Sequence, residues 1–241
     1  MIARIAYIAM LVILAVVTIG LQSDRQAALD PRFVQITPDP VRAFAQMTLT
    51  TSTLKSDDAN AAVAEARTLV ARRPFPAESL RSLAQAQLLA GNSEEAFTSL
   101  QLAAQRGWRD RATQDAMMRL AMAARDEEQA TRRFLALLVL DGASEDTLRE
   151  IAPHLFDEDD RVAVQTSSKI LAASERWSNR FIQRGSRVIH PSPFATILID
   201  AAAQGADFEC GAIEQAARSL GSNDRSAAAR VSTIACTRRD H

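Results

Sequence analysis

The residues that could do chemistry are few, and the two cysteines are the most informative of them. Cys210 and Cys236 are equidistant along the chain from Asn223, where the sequence predicts a turn between two helices. In an antiparallel hairpin, positions equidistant from the turn face each other. A disulfide closing a loop of this length would stabilise the hairpin by about 3 kcal/mol. The pattern predicts that disulfide, and the alternative is a pair of reduced cysteines buried as small apolar residues.

No other set of side chains has the spacing of a known catalytic or metal centre. His154, His190 and His241 are scattered, whereas zinc sites use short ligand spacings. The acidic run 157–160 lacks the alternating ligands and turn glycine of a calcium loop, and acids at a helix start complement the helix dipole. There is no nucleophile elbow, phosphate loop or dinucleotide fingerprint. We expect no catalytic residue, no metal and no cofactor.

The amino terminus carries an uncharged apolar run, Ile5–Leu21. As an α-helix this run extends about 26 Å, close to the roughly 30 Å of a hydrocarbon core. It predicts a transmembrane anchor over residues 1–23. A cleaved signal peptide is the alternative, although residues 18–20 (Thr-Ile-Gly) match its small-x-small site poorly. Charge alone does not decide the orientation, because Arg4 precedes the run and Arg25 and Arg32 follow it. A first apolar segment with so short an amino end normally leaves that end in the cytoplasm, so we expect a single-pass protein of a bacterial inner membrane with its carboxyl-terminal domain, residues 24–241, in the periplasm.

A regular repeat runs through the segment 41–143. Alanine recurs at equal intervals, at Ala62, Ala96 and Ala130, with similar surroundings. In the middle unit, 77–110, an apolar stripe predicts one helix, Gly91 ends it, and the next helix begins beside Ser93. The interval and these features resemble tetratricopeptide repeats, in which successive helical hairpins stack on one another. The repeats are degenerate, because the family's aromatic eleventh position holds Thr53, Gln87 and Ala121.

Helical patterning continues beyond the repeats, and no stretch alternates long enough to predict a sheet. The predicted later helices cover residues 176–188, 193–204, 209–220 and 224–238. We predict an all-α fold: a single N-terminal transmembrane helix followed by an α-solenoid of about five to six helical hairpins. The predicted parts are an anchor (1–23), a linker (24–40), tetratricopeptide-like repeats (41–143) and a helical continuation of the solenoid with a carboxyl-terminal hairpin (144–241). The alternative is an irregular helical bundle with an accidental period.

Composition excludes some classes of function. A formal net charge of −1 argues against a nucleic-acid partner, which rewards a basic surface. With 47% apolar and 24% charged residues, the chain is not a disordered tail. These values indicate a folded protein, and the uncharged run adds the expectation that residues 5–21 contact the lipid bilayer.

The resemblance implies a concave groove lined by the first helix of each hairpin. Carried onto this sequence, the groove residues are Phe44, Met47, Thr51, Glu78, Arg81, Gln85, Leu88, Asp115, Arg119 and Met122. We therefore expect a membrane-anchored, periplasm-facing adaptor or scaffold of the cell envelope that binds other envelope or membrane proteins and catalyses no reaction. One alternative is a solvated helix face that contacts nothing. The other is an enzyme with an unrecognised active site in residues 144–241.

Overall fold

The structure, a computed structural model, describes residues 2–157, 161–174 and 176–237. Within these residues the chain is all-helical, as predicted, and forms no β-strand. The helices are α1 (Ile2–Ala27), α2 (Phe33–Ile36), α3 (Phe44–Thr53), α4 (Ala59–Arg72), α5 (Ala77–Leu89), α6 (Ser93–Arg106), α7 (Arg111–Ala123), α8 (Glu127–Val139), α9 (Glu145–Leu155), α10 (Val162–Ala172), α11 (Ser178–Val188), α12 (Pro191–Ala203), α13 (Cys210–Gly221) and α14 (Arg225–Val231). A 3₁₀ turn, Asp39–Val41, precedes α3. The chain divides into two compact units, Met1–Thr113 and Gln114–His241.

In the first unit, consecutive helices pack on one another. α3 packs on α4, α4 on α5 and α5 on α6, while the end of α1 and the short α2 pack on α3. Alanine makes these contacts close, since Ala62 and Ala66 of α4 and Ala86 of α5 are fully buried in one cluster. Side chains this small bring helix axes close together at the cost of burying little apolar area.

The interval that separates the repeating alanines is also present in the helix boundaries. α4, α6 and α8 begin at Ala59, Ser93 and Glu127, which are equally spaced along the chain. Their N-cap residues have nearly identical φ angles: −90°, −89° and −91°. At the first and third of these caps, the carboxylates of Asp58 and Asp126 accept hydrogen bonds from backbone N–H groups in the first turn of the helix. Each therefore satisfies one of the unpaired donors at a helix start.

The predicted helix stop at Gly91 is confirmed. Gly91 has φ +80°, a left-handed conformation that glycine adopts without a Cβ penalty. The N–H of Asn92 donates to the carbonyl of Gln87 at 2.8 Å, which closes the end of α5. Arg125, one repeat interval further along the chain, has φ +56°, and Asp126 N–H donates in the same way to the preceding helix, α7.

In the second unit, alternate helices pack together. α8, α10, α12 and α14 contact one another in succession, and so do α9, α11 and α13. Between these helices lies one continuous apolar cluster, which contains the fully buried phenylalanines Phe134, Phe181, Phe194 and Phe208. The Phe181 and Phe194 rings stack with centroids 5.7 Å apart. The helices of this unit are held by large apolar side chains.

A charged cluster fastens α9 to α11. The Glu145 carboxylate pairs with Arg149 at 3.4 Å, with Arg184 at 3.4 Å and with Arg187 at 3.1 Å. Arg184 also donates to the carbonyls of Leu140 and Ala143 at 2.6 and 2.7 Å. The guanidinium of Arg184 thereby satisfies carbonyl groups just after the end of α8.

The predicted disulfide between Cys210 and Cys236 is confirmed, with Cα atoms 4.9 Å apart. The helix predicted over 224–238 is too long, because α14 ends at Val231. Beyond it, Ser232 and Thr233 hydroxyls donate to backbone carbonyls, which competes with helical hydrogen bonding. The chain then extends so that Thr237 pairs with the segment ahead of α13.

Candidate functional site

Three of the predicted groove residues in the first unit converge on one arginine. The Arg73 guanidinium lies over the Phe44 ring, 4.5 Å from its centroid. One of its nitrogens is 3.2 Å from the Met47 sulfur and another is 3.2 Å from a Glu78 carboxylate oxygen. Arg73 therefore joins side chains of α3 to a side chain of α5. We name this set, Phe44, Met47, Arg73 and Glu78, the Arg73 cluster.

The end of α4 explains why Arg73 occupies this position. Arg73 is the C-cap residue, with φ −131° and ψ 73°, and the following Pro74 cannot continue a helix. The chain therefore leaves the helix axis at Arg73. Its side chain is only 15% exposed, which strengthens both the ion pair with Glu78 and the interaction of the cation with the aromatic face. The sequence reasoning missed Arg73; a basic residue immediately ahead of the proline that ends a repeat is the signal that could have found it.

Arg81, also a predicted groove residue, is anchored separately. Its Nε lies 2.9 Å from Asp110 Oδ2, and the same oxygen accepts a hydrogen bond from the Thr113 hydroxyl at 2.5 Å. Beside this pair is an open depression of about 680 Å³, whose charged lining residues are Glu78, Arg81, Arg109, Asp110 and Arg111. Glu78 thus belongs to both the Arg73 cluster and the depression. The two features form a continuous surface along the start of α5.

The remaining predicted residues of the first unit are exposed. The Thr51 hydroxyl donates to the Met47 carbonyl of its own helix at 2.8 Å. Gln85 is exposed, and Leu88 leaves 58% of its surface exposed. Leu88 therefore places exposed apolar area on the helix that carries the charged Glu78 and Arg81.

The other three predicted groove residues lie in the second unit. Asp115 and Arg119 form an ion pair within α7, with the atoms 2.9 Å apart. The Asp115 carboxylate raises the pKa of Arg119, chiefly by accepting its hydrogen bond and then through its charge. Met122 packs against the apolar core of the second unit. The pair lies on the surface of α7, whereas Met122 contributes to packing.

The anchor predicted at the amino terminus has a counterpart in α1. This helix is long enough and apolar enough to cross a membrane. Its most apolar 18-residue window has a mean hydropathy of 2.5, and none of that window is buried. The helix continues to Ala27, beyond the predicted anchor. A helix so exposed and apolar is unfavourable in water, which is consistent with a single membrane span.

Asp24, near the end of α1, is the most heavily bonded carboxylate of this region. It is buried, and its Oδ1 accepts from the N–H groups of Ala43 and Ala45, both at 2.8 Å. Its Oδ2 accepts from Phe44 N–H at 3.1 Å. Asp24 therefore caps α3 from another helix and joins the anchor to the helix that carries the Arg73 cluster. No local cap signal reveals it, because the acceptor and its donors belong to different helices that are far apart in the sequence.

Among the described residues, no group of three or more His, Cys, Asp or Glu side chains is arranged to hold a metal ion. His154 and His190 are exposed, while His241 and residues 158–160 of the acidic run lie outside the described residues. A cavity of about 420 Å³ in the second unit has charged and polar walls, formed in part by Asp157, Arg161, Thr196 and Asp200. The enzyme hypothesis for residues 144–241 stays a prediction, and this cavity is the place to test it.

The sequence was also compared with known proteins. The scan against protein-family models found no match, and the search of curated proteins found none.

Proposed function

We propose that the chain is a single-pass membrane protein of a bacterial envelope that binds another envelope protein through the Arg73 cluster and the adjoining Arg81–Asp110 depression. The observation that carries this proposal is the convergence of Phe44, Met47 and Glu78 on Arg73. Side chains fixed by mutual contacts lose little conformational freedom when a partner binds. The surface combines an aromatic ring, a thioether and charges of both signs, which suits a peptide segment with alternating apolar and charged side chains.

We further propose that the helices form tetratricopeptide-like repeats in a solenoid. Support comes from the equal spacing of α4, α6 and α8, from their matching N-cap angles, and from the burial of Ala62, Ala96 and Ala130. The packing of alternate helices in the second unit is also the arrangement that stacked hairpins produce. In such repeats the first helices carry the binding surface, and α3 and α5 carry the three side chains that converge on Arg73.

We place the helical domain in the periplasm. The Cys210–Cys236 disulfide supports this side, because disulfides persist in oxidising compartments and are rare in the cytosol.

Site-specific crosslinking in intact membranes tests the binding surface. A photoreactive amino acid at Gln85, exposed on α5, should capture a discrete protein. Gln101 is the matched control, because it is an exposed glutamine on the neighbouring helix α6. The same label there should capture nothing specific. Equal capture at the two positions, or none at Gln85, would contradict the proposed surface.

Reporter fusions test the membrane orientation. A reporter active only in the periplasm, fused after residue 241, should be active, and one active only in the cytoplasm should be silent. The reversed result would overturn the proposed orientation. Release of the protein by carbonate or high salt would show that α1 does not span the bilayer.

A further inference from the structure

The folded part of the first unit reaches back along the apolar stretch of α1. Gly20, the residue before the end of the uncharged run, is buried. A Cβ placed on Gly20 would lie 3.3 Å from Val41 Cγ2 and 3.9 Å from the Pro38 ring. The 3₁₀ turn Asp39–Val41 and the preceding Pro38 are therefore level with the last turn of the apolar stretch, not beyond it.

This position is held by hydrogen bonds. Asp24 caps α3 through three backbone N–H groups, as described above, and the Thr48 hydroxyl of α3 donates to the Ala27 carbonyl of α1 at 3.0 Å. Ala27, Val34 and Ala45 form a small buried cluster between α1, α2 and α3. The chain between α1 and α3 is thus held at its ends by hydrogen bonds between the two helices, and in its middle by the packing of Val34.

Two large apolar side chains in the segment between α1 and α3 are exposed to solvent. Leu29 is 82% exposed and Ile36 is 67% exposed, although their neighbour Val34 is buried. Moving exposed apolar side chains beside a membrane span into the interfacial region of the bilayer lowers their free energy.

The charges of the segment are arranged to suit a lipid surface. The basic residues Arg25 and Arg32 are exposed. Of the acids, Asp24 is buried under α3 and Asp39 pairs with Arg42 and Arg72. The Asp30 carboxylate accepts a hydrogen bond from the Arg32 backbone N–H at 3.0 Å and keeps its charge. Long basic side chains beside a span extend towards lipid phosphates while their carbon chains stay in apolar surroundings.

We propose that the segment 25–36 is an interfacial foot, in which Leu29 and Ile36 enter the headgroup region of the bilayer and Arg25 and Arg32 contact lipid phosphates. The occupant of this surface is the lipid bilayer itself. The inference rests on the membrane span of the proposed function. Its consequence is mechanical, because the foot and the Asp24 cap together fix the tilt of α3 against the membrane and hold the Arg73 cluster at a constant height above it.

Depth-dependent fluorescence quenching tests the foot in the full chain reconstituted in phosphatidylcholine vesicles at low protein density. Trp108 and Trp177 are replaced by phenylalanine, and single tryptophans are introduced as Ile36→Trp, Ile13→Trp and Leu102→Trp. Ile13 lies within the apolar stretch of α1, and Leu102 is a 40% exposed residue of α6 that serves as the aqueous control. Brominated lipids quench tryptophan only on contact, so bromine near the headgroup and bromine near the chain end report different depths.

We expect the Ile36 reporter to lose most of its fluorescence with shallow bromine, the Ile13 reporter with deep bromine, and the Leu102 reporter with neither. Quenching at Ile13 together with an Ile36 reporter as unaffected as Leu102 would overturn the foot and leave the span intact. Absence of quenching at Ile13 would overturn both the span and the foot. Protection of Ile36 from aqueous acrylamide without bromine quenching would also overturn the proposal, because a protein surface would then cover that residue.

Discussion

The apolar core inside the first unit differs in kind from the core inside the second. In the first unit, the described apolar core contains three small clusters in which alanine predominates. In the second unit it is one cluster that includes four fully buried phenylalanines. Since the free energy gained on burial follows the apolar area removed from water, the second unit gains more from each side chain.

In the first unit, buried hydrogen bonds between neighbouring helices add to this small apolar core. The Ser99 hydroxyl donates to Gln87 Oε1 at 2.8 Å in a buried contact between α5 and α6. Arg72 donates to Gln46 Oε1 at 2.9 Å between α4 and α3. Hydrogen bonds between helices hold the first unit rigid while leaving side chains on its surface accessible, and a binding surface needs both. We expect truncation of buried apolar side chains to lower the free energy of unfolding more in the second unit. Loss of a cap or a turn should destabilise the first.

The largest effect is expected from Phe194→Ala in the second unit. Removing a fully buried ring that stacks on Phe181 should lower the free energy of unfolding by about 3–5 kcal/mol. Leu80→Ala in a small cluster of the first unit should cost about 2 kcal/mol. Urea unfolding in detergent, followed by circular dichroism, measures both. Leu120→Ala, at an exposed position, is the control and should change stability by less than about 0.5 kcal/mol. An equal cost at Phe194 and Leu80 would remove the contrast between the cores.

Loss of the disulfide should come next. Replacing Cys210 and Cys236 together by serine opens a bridge with a sequence separation of 26 residues and should cost about 3 kcal/mol. Hydrogen exchange should accelerate in α13 and α14 and stay unchanged in α3 to α6. Mass spectrometry of unreduced protein checks the premise. Alkylation of both thiols without prior reduction would contradict the bridge and weaken the periplasmic assignment.

Asp24→Ala should destabilise the first unit, whereas Phe194→Ala and loss of the disulfide act mainly on the second. It leaves three N–H groups at the start of α3 without their acceptor and should cost about 1–2 kcal/mol. Faster hydrogen exchange confined to α3 is the expected signature. Asp24→Asn keeps one acceptor oxygen and should lose less. Asp30→Ala removes an exposed contact to a single N–H and serves as the matched control. Equal exchange rates in the Asp24 and Asp30 variants would show that the cap is not stabilising.

Gly91→Val tests the turn between α5 and α6. A β-branched side chain in a left-handed conformation should lower stability by about 1 kcal/mol or more. Apart from residue 91 and its two chain neighbours, nothing lies within 4 Å of the new Cβ, so the cost is conformational and not a clash. Gly91→Asn should cost less, because asparagine tolerates this conformation. An unchanged melting temperature for the valine variant would place the left-handed turn elsewhere.

The sequence predicts those features whose partners are close along the chain or repeat at a fixed interval. The helices, the stop at Gly91 and the buried alanines follow from local pattern and period. The symmetry about Asn223 predicted the correct cysteine pair, although Cys236 lies in the extended segment after α14 and not on a helix that faces α13. Asp24 was missed because a cap supplied by a distant helix has no local signature. Arg73 was missed because its role exists only where α3, α4 and α5 meet. The early end of α14 depends on competing hydroxyl hydrogen bonds that apolar pattern does not register.

The smallest predicted effect is a gain in stability, and it comes from the turn that repeats Gly91 without its glycine. Arg125 N–H donates to Met122 O at 3.0 Å and Asp126 N–H to Ala121 O at 2.9 Å, as Gly91 and Asn92 donate at the end of α5. Because Arg125 carries a Cβ at φ +56°, Arg125→Gly should relieve strain and raise stability by about 0.5–1 kcal/mol, less whatever the more flexible unfolded chain offsets. Arg125→Ala is the matched control, since it removes the charge and keeps the Cβ, and its melting temperature should match that of the parent. If alanine stabilises as much as glycine, the removed charge accounts for the gain, and the two turns do not share the conformational requirement that the repeat interval assigns to them.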